Sequence, residues 1–185
     1  MAQMAKVVAI VGMSGSGKSQ VAQTFEEKGF IRIRFGDITD EEVSKRGLEL
    51  NEENERKVRE ELRKENMAAY AKLNLPKIEA SLRRSNVIID GLYSWEEYKL
   101  LKEKYGDDLL IVAIYSSPET RYARLGDREV RPLTNAEARS RDYAEIENLN
   151  KGGPIAIADF TLINEDIPIE DLQSKIEQFI AELEK

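Results

Sequence analysis

Val7-Val8-Ala9-Ile10-Val11, then Gly12-Met13-Ser14-Gly15-Ser16-Gly17-Lys18-Ser19, then a helical pattern from Gln20 onward: this run decides the fold of the chain. The spacing G-x-x-x-x-G-K-S is that of a phosphate-binding loop. An apolar strand delivers the loop to a sheet edge. Gly12, Gly15 and Gly17 let the backbone turn tightly, so that successive N–H groups point into one hollow. A helix beginning at Lys18 aims its positive dipole end at the same hollow. Lys18 can reach the β- and γ-phosphates of a nucleotide, and the Ser19 hydroxyl can ligate Mg²⁺. Residues 12–19, Met13, Ser14 and Ser16 included, are therefore read as a cradle for ATP. A strand before the loop and a helix after it separate this reading from that of a glycine-rich turn with no ligand.

Composition narrows the possibilities. At 185 residues the chain is read as one domain, 1–185, long enough for a sizeable core. A formal charge of -7 argues against a general nucleic-acid binder. No apolar run approaches the ~20 residues of a membrane helix, and no signal peptide is visible, so no membrane partner and a cytoplasmic location are expected. Cysteine and histidine are both absent. That excludes disulfides, thiolate metal sites, imidazole ligands and Ser–His or Cys–His nucleophile systems.

Along the chain, apolar runs alternate with amphipathic stretches, which predicts an α/β fold with a parallel sheet and helices on both faces. Strands are expected at Lys6–Val11, Ile31–Phe35, Val87–Asp90, Leu109–Tyr115 and about Asp159–Ile163. The second alternates Ile31, Ile33 and Phe35 with Arg32 and Arg34, as an edge strand with one covered face does. The third and fourth are continuous apolar runs and are placed centrally. Helices are expected from Lys18 to about Lys28, from Ser94 to about Tyr105 behind a capping box, and from Pro118 to about Leu125. Two more follow, from Thr134 to about Leu149 behind a second capping box and from about Ile169 to the end. Lys151-Gly152-Gly153-Pro154 reads as a turn. Between strands two and three, residues 38–85 form a charged helical insert. Asp40 and Asn51 are expected to cap its helices, and Pro76 to divide or kink the last one.

Three features bear on chemistry. Asp90 ends a central strand beside the loop and can hold Mg²⁺ directly or through water; a strand-end aspartate can also cap the next turn. Arg121, Arg124, Arg128, Arg131, Arg139 and Arg141 crowd a segment without lysine. Arginine alone suits planar contacts with phosphate oxygens or stacking on a base, so two or three of the six are expected at a transferring phosphoryl group and the rest on the surface. Asp37 ends strand two at the edge where open α/β sheets bind ligands; it is a candidate for the second substrate or a helix cap.

In this order, the loop, Gly36-Asp37, Asp90-Gly91 and the arginine-rich segment resemble the nucleoside monophosphate kinases of the adenylate kinase superfamily, over essentially the whole chain. Arg124-Leu125-Gly126-Asp127-Arg128 resembles the start of that family's lid, where one arginine stacks on adenine and others grip phosphates. Ala158-Asp159-Phe160-Thr161-Leu162-Ile163-Asn164 resembles the last strand of dephospho-coenzyme A kinases. The runs Asp90 to Trp95 and Arg141-Asp142 to Gly153 are similar to those of archaeal adenylate-kinase-related proteins. The resemblance implies a three-layer P-loop NTPase fold, a five-stranded parallel sheet in order 2-3-1-4-5, and a short lid over residues 126–140. It also implies phosphoryl transfer from ATP to a small nucleotide. Arg128 and Arg131, with Arg139 or Arg141, would then close over the γ-phosphate, Lys18 would hold the β/γ oxygens, and Arg124 and Arg128 would hold the nucleotide. Where the family carries Pro-Arg after the strand-three glycine, this chain has Leu92, Tyr93 and Ser94. Arg59 and Arg63, at i and i+4, are candidates for the acceptor phosphate, though the same spacing suits surface ion pairs. Two other readings stay open. One is a kinase with a hydroxyl acceptor, like a dephospho-coenzyme A kinase, in which Asp37 would serve as base. The other is a slow ATPase or switch acting on a protein partner.

Overall fold

The computed structural model describes residues 6–165 and 167–183. Five strands form one all-parallel sheet: β1 (Val7–Val11), β2 (Ile31–Arg34), β3 (Val87–Asp90), β4 (Leu109–Tyr115) and β5 (Phe160–Ile163). Their order is β2-β3-β1-β4-β5, as expected. The helices are α1 (Lys18–Glu27), α2 (Asp37–Lys45), α3 (Glu52–Glu65), α4 (Ala69–Leu82), α5 (Trp95–Tyr105), α6 (Pro118–Gly126), α7 (Asn135–Leu149), α8 (Gly152–Ala156) and α9 (Ile169–Leu183). The first five residues, expected to lead into β1, and the last two, expected to end α9, lie outside the described residues. Among those described, no helix is long and apolar enough to cross a membrane.

Strand side chains alternate between faces, and the central strands are apolar on both because helices cover both. Val7, Ala9 and Val11 of β1 join Val87 and Ile89 of β3 in one core, with Tyr70 and Ile78 of α4 and Leu101 of α5. Val8 and Ile10 join Ile88 in the other, with Val21 and Phe25 of α1 and Leu172 and Ile176 of α9. The same parity carries Asp90, paired in register with Ile10, onto the face covered by α1. Asp90 therefore reaches the side of the sheet on which the phosphate-loop helix starts.

Several local expectations hold. Asn51 caps α3, accepting from the Asn54 backbone N–H. Ser94 and Glu97 close a capping box on α5, and Thr134 and Glu137 close another on α7. Others are corrected. Asp40 lies inside α2, whose cap position is Gly36 and whose first residue is Asp37. Pro76 does not divide α4. It is exposed, while Tyr70 and Ile78 of the same helix are held in the core. Residues 151–154 are not a plain turn: Gly152-Gly153-Pro154 open α8, where proline fits because first-turn N–H groups have no helical partner anyway. The second face of edge strand β2 is not simply solvated, since Arg32 pairs with Asp90 at 2.5 Å.

Gly153 lets α8 approach α5. A Cβ there would lie 2.7 Å from Trp95 Cε3, and the Trp95 ring is stacked on Tyr98 at 4.9 Å. Gly153→Ala is expected to cost about 1–3 kcal/mol through this overlap. It should also shift the emission of Trp95, the only tryptophan. Thermal unfolding and fluorescence spectra check both; unchanged values would mean that the ring is not pinned.

Candidate active site

The loop between β1 and α1 closes on itself through Ser16 N–H to the Met13 carbonyl at 3.2 Å. Gly12 has φ 146, and a Cβ on it would lie 2.5 Å from the Ile114 carbonyl oxygen, so no other residue fits there. Gly17, in the left-handed region, caps α1 without any side-chain acceptor. The first turn of α1 thus presents backbone donors and dipole to the loop hollow. Lys18 Nζ donates to the Met13 carbonyl at 2.9 Å and so folds over the loop. Ser19 is exposed at the helix start. Ser16 Oγ is buried with no partner.

Beside the loop lies a cleft of about 460 Å³ lined by Gly15, Lys18 and Ser19, by Arg124 and Arg128, and by Asn164. Two of the arginines singled out in the sequence therefore face the loop together. Arg124 lies in the last turn of α6 and donates to Ser116 Oγ at 3.0 Å; Arg128 follows two residues after the helix and remains exposed. Burial, then Arg141, lowers the Arg128 pKa, so Arg141 stands in the same field. Arg141 Nε donates to Glu145 at 3.3 Å. Arg131 takes a positive φ of 54 in the exposed connection between α6 and α7 and is not among the residues lining the cleft. Arg121 departs from the expectation for the segment, being neither at the cleft nor on the surface. It is 4% exposed and grips Asp142 with two bonds, at 2.8 and 2.6 Å. It also donates to the Ser14 and Ser116 carbonyls, fastening α6 and α7 to the loop.

Sequence reading missed the partners that α7 brings. Ser14 Oγ donates to Glu145 Oε1 at 2.8 Å, and Lys151 Nζ donates to Glu145 Oε2 at 2.7 Å. Burial alone would raise the Glu145 carboxyl, but Lys151, Ser14 and Arg141 hold it at about 2. Burial, with Lys151 next, lowers Lys18 to about 7 against the pull of Glu145 and Asp90. Asn164 was also missed; its side-chain amide donates to the Ser16 carbonyl at 2.9 Å. Buried Glu and Lys in a helix and a glycine-rich stretch carry no local signal of these long-range contacts.

The insert supplies a second group. Arg63 of α3 lies over the rings of Tyr70 and Tyr93, at 4.9 and 5.7 Å, and its buried Nε has no hydrogen-bond partner. Tyr93 follows Asp90-Gly91 of β3, and burial, then Asp90 and Glu97, pushes its hydroxyl up to about 12. Thr39 and Tyr70 share a buried hydrogen bond of 2.7 Å that ties α2 to α4. Asp37 is half-buried in the first turn of α2, 3.6 Å from Arg34. Arg59 pairs with Glu55 along α3 at 3.4 Å, the helix-face contact its spacing allowed.

Asp90 Oδ2 is engaged by Arg32, so the carboxylate next to the loop is already neutralised on one side. Among the described residues no cluster of three or more carboxylates could hold a metal by protein alone. The Ser19 hydroxyl and the Asp90 carboxylate are hard oxygen donors. That set fits Mg²⁺, which keeps water and substrate phosphate oxygens as most of its ligands.

A family model described as an AAA domain matches residues 8–159. A gluconokinase from Sinorhizobium meliloti shares the fold at TM-score 0.56 and 18% identity, over 98% of this chain and 94% of that one. A UPF0200 protein of Thermococcus gammatolerans is 37% identical over 96% of this chain and 95% of its own length. Another, of Thermococcus onnurineus, is 34% identical over 96% of this chain and 97% of its own. With its phosphate loop set in a P-loop kinase-like fold, the chain belongs to the UPF0200 family.

Proposed function

We propose that the protein transfers the γ-phosphoryl group of ATP to a small phosphorylated acceptor, in the manner of a nucleoside monophosphate kinase. The observation that carries this reading is a pair of cationic groups, one at the loop and one on the insert. One is the loop with Lys18, Arg124 and Arg128. The other is the Arg63 guanidinium, its Nε unpartnered, between two tyrosine rings. A plain ATPase has no use for the second; an anionic, aromatic acceptor suits it, through charge and through stacking.

In this reading residues 12–19 cradle the phosphates. Lys18 leaves the Met13 carbonyl for the β- and γ-oxygens. Ser19 would ligate Mg²⁺ and Asp90 would orient its water; the bound cation supplies charge neutralisation. Arg128 and Arg141 meet the γ-phosphoryl, Arg124 the nucleotide, and Arg131 comes in only if the short lid over 126–140 closes. Closure over the insert, 38–85, keeps water from competing as acceptor. A phosphate oxyanion needs no strong base, which agrees with a chain that lacks histidine.

The test is turnover of Mg·ATP with a panel of nucleoside monophosphates and hydroxyl metabolites. One or more monophosphates should raise ADP formation well above the basal rate. No rise with any acceptor would overturn the kinase reading in favour of a slow ATPase or switch. Asp37→Asn separates the acceptor classes: it should abolish transfer to a hydroxyl and only weaken transfer to a phosphate. Arg63→Met should raise the acceptor KM about ten- to a hundredfold, the cost of one or two charge-assisted bonds, and change Mg·ATP affinity far less. Lys18→Ala should weaken Mg·ATP binding by a similar factor, measured by calorimetry; parent-like binding would remove the basis of every assignment here.

A pH prediction follows from Lys18. In the free protein its ammonium titrates near 7, and a bound triphosphate raises it. At pH 8 the free side chain is mostly neutral and the bound one charged, so binding takes up close to one proton; at pH 6 it is charged in both and uptake disappears. Calorimetry in buffers of different ionisation enthalpy reads this directly, and Lys18→Ala should abolish it.

A further inference from the structure

Lys151 is 1% exposed, although lysine is among the residues least often buried. The chain turns it inward deliberately: Asn150, at φ 51, reverses the end of α7, and Lys151 then precedes α8. Its Nζ has Glu145 Oε2 at 2.7 Å and the face of the Tyr93 ring at 5.3 Å. Glu145 in turn holds the loop residue Ser14 at 2.8 Å and Arg141 at 3.3 Å. One carboxylate thus sits among a loop hydroxyl, a guanidinium and a buried ammonium, which are the donors that bind a phosphoryl group. Lys18 feels Lys151 more strongly than any other charge. Glu145 and Asp90 pull the other way, and Asp90 already pairs with Arg32. The centre has more cations than anions, and Lys151 joins the phosphate loop, through Glu145, to the Tyr93 ring over which Arg63 also lies.

We propose that Lys151 is a catalytic cation of the transfer. It lies outside the lid, and Glu145 holds its ammonium in place until the nucleotide arrives. This rests on the phosphotransferase reading. In the step, the bond between the γ-phosphorus and the β,γ-bridging oxygen breaks, and its electron pair stays on ADP. A lone pair of an acceptor phosphate oxygen forms the new P–O bond, and no proton moves. Lys18 and Lys151 donate hydrogen bonds to the peripheral oxygens while charge redistributes over them.

The alternative is that Lys151 serves only as counter-ion to Glu145. Four variants separate the two: Lys151→Met, Lys151→Arg, Glu145→Gln, and the double variant Lys151→Met with Glu145→Gln, which leaves no unpaired buried charge. Each is tested for thermal unfolding, Mg·ATP affinity, affinity for Mg·ADP with aluminium fluoride as transition-state mimic, and kcat with the acceptor that the panel of monophosphates identifies. Lys151→Met should lower kcat by about 10²- to 10³-fold and lose the mimic by a matching factor, with Mg·ATP affinity within a few fold of the parent. Lys151→Arg should restore part of the rate. Glu145→Gln should lower kcat less than Lys151→Met does. The double variant should fold and remain slow. A folded double variant at the parent's rate, or equal losses of Mg·ATP and mimic affinity, would make Lys151 a structural counter-ion and overturn the proposal. A parent that binds Mg·ATP but transfers to no acceptor fails differently: it sinks the phosphotransferase reading itself, and this inference with it.

Discussion

The hydrogen bond from Ser14 to Glu145 joins the phosphate loop to a helix 131 residues away, and the shape of the site depends on it. A loop of three glycines in eight residues has little conformational preference of its own. It is held from outside: Glu145 takes the Ser14 hydroxyl, Arg121 takes the Ser14 carbonyl, and Asn164 donates to the Ser16 carbonyl. Arg121 is itself fixed by two bonds to Asp142 on α7. Removing either member of that buried pair would leave the other charge unpaired, at a cost of about 3–5 kcal/mol. The loop geometry is therefore a property of α6 and α7 as much as of the loop.

The same contacts set the electrostatics. With no histidine in the chain, its chemistry rests on lysine, arginine and carboxylates. Burial depresses the pKa of both Lys18 and Lys151, which marks a centre where positive charge is unfavourable until an anion enters. Glu145 answers part of that charge and Asp90 is diverted to Arg32. A triphosphate would supply the remainder, and the affinity gained in this way is electrostatic rather than apolar.

Much of the frame was legible because it is local. The G-x-x-x-x-G-K-S spacing, the continuous apolar runs of β3 and β4, and the capping boxes at Ser94 and Thr134 need only neighbours within a few residues. What was missed is long-range. Arg121 looked like its five neighbours in the arginine-rich segment, since nothing near it announces Asp142. Arg32 alternated with isoleucines as a solvated edge residue would, yet its partner arrives from the next strand. Lys151-Gly152-Gly153-Pro154 has the composition of a turn; the Trp95 ring against Gly153 and the Glu145 carboxylate against Lys151 make it a helix start that buries a lysine.

Those long-range contacts also connect the two cationic sites. From Arg63 the path runs to the Tyr93 ring, from that ring to Lys151, from Lys151 to Glu145, and from Glu145 to Ser14 of the loop. Every link is a charged or polarisable contact in a largely buried setting, where screening is weak and a change in one charge is felt by the next. An acceptor anion at Arg63 would draw positive charge toward the insert, and a triphosphate at the loop would draw it back. If these cations serve donor and acceptor as proposed, one such path would let each ligand sense the other, through Tyr93 and Lys151, without any movement of the sheet.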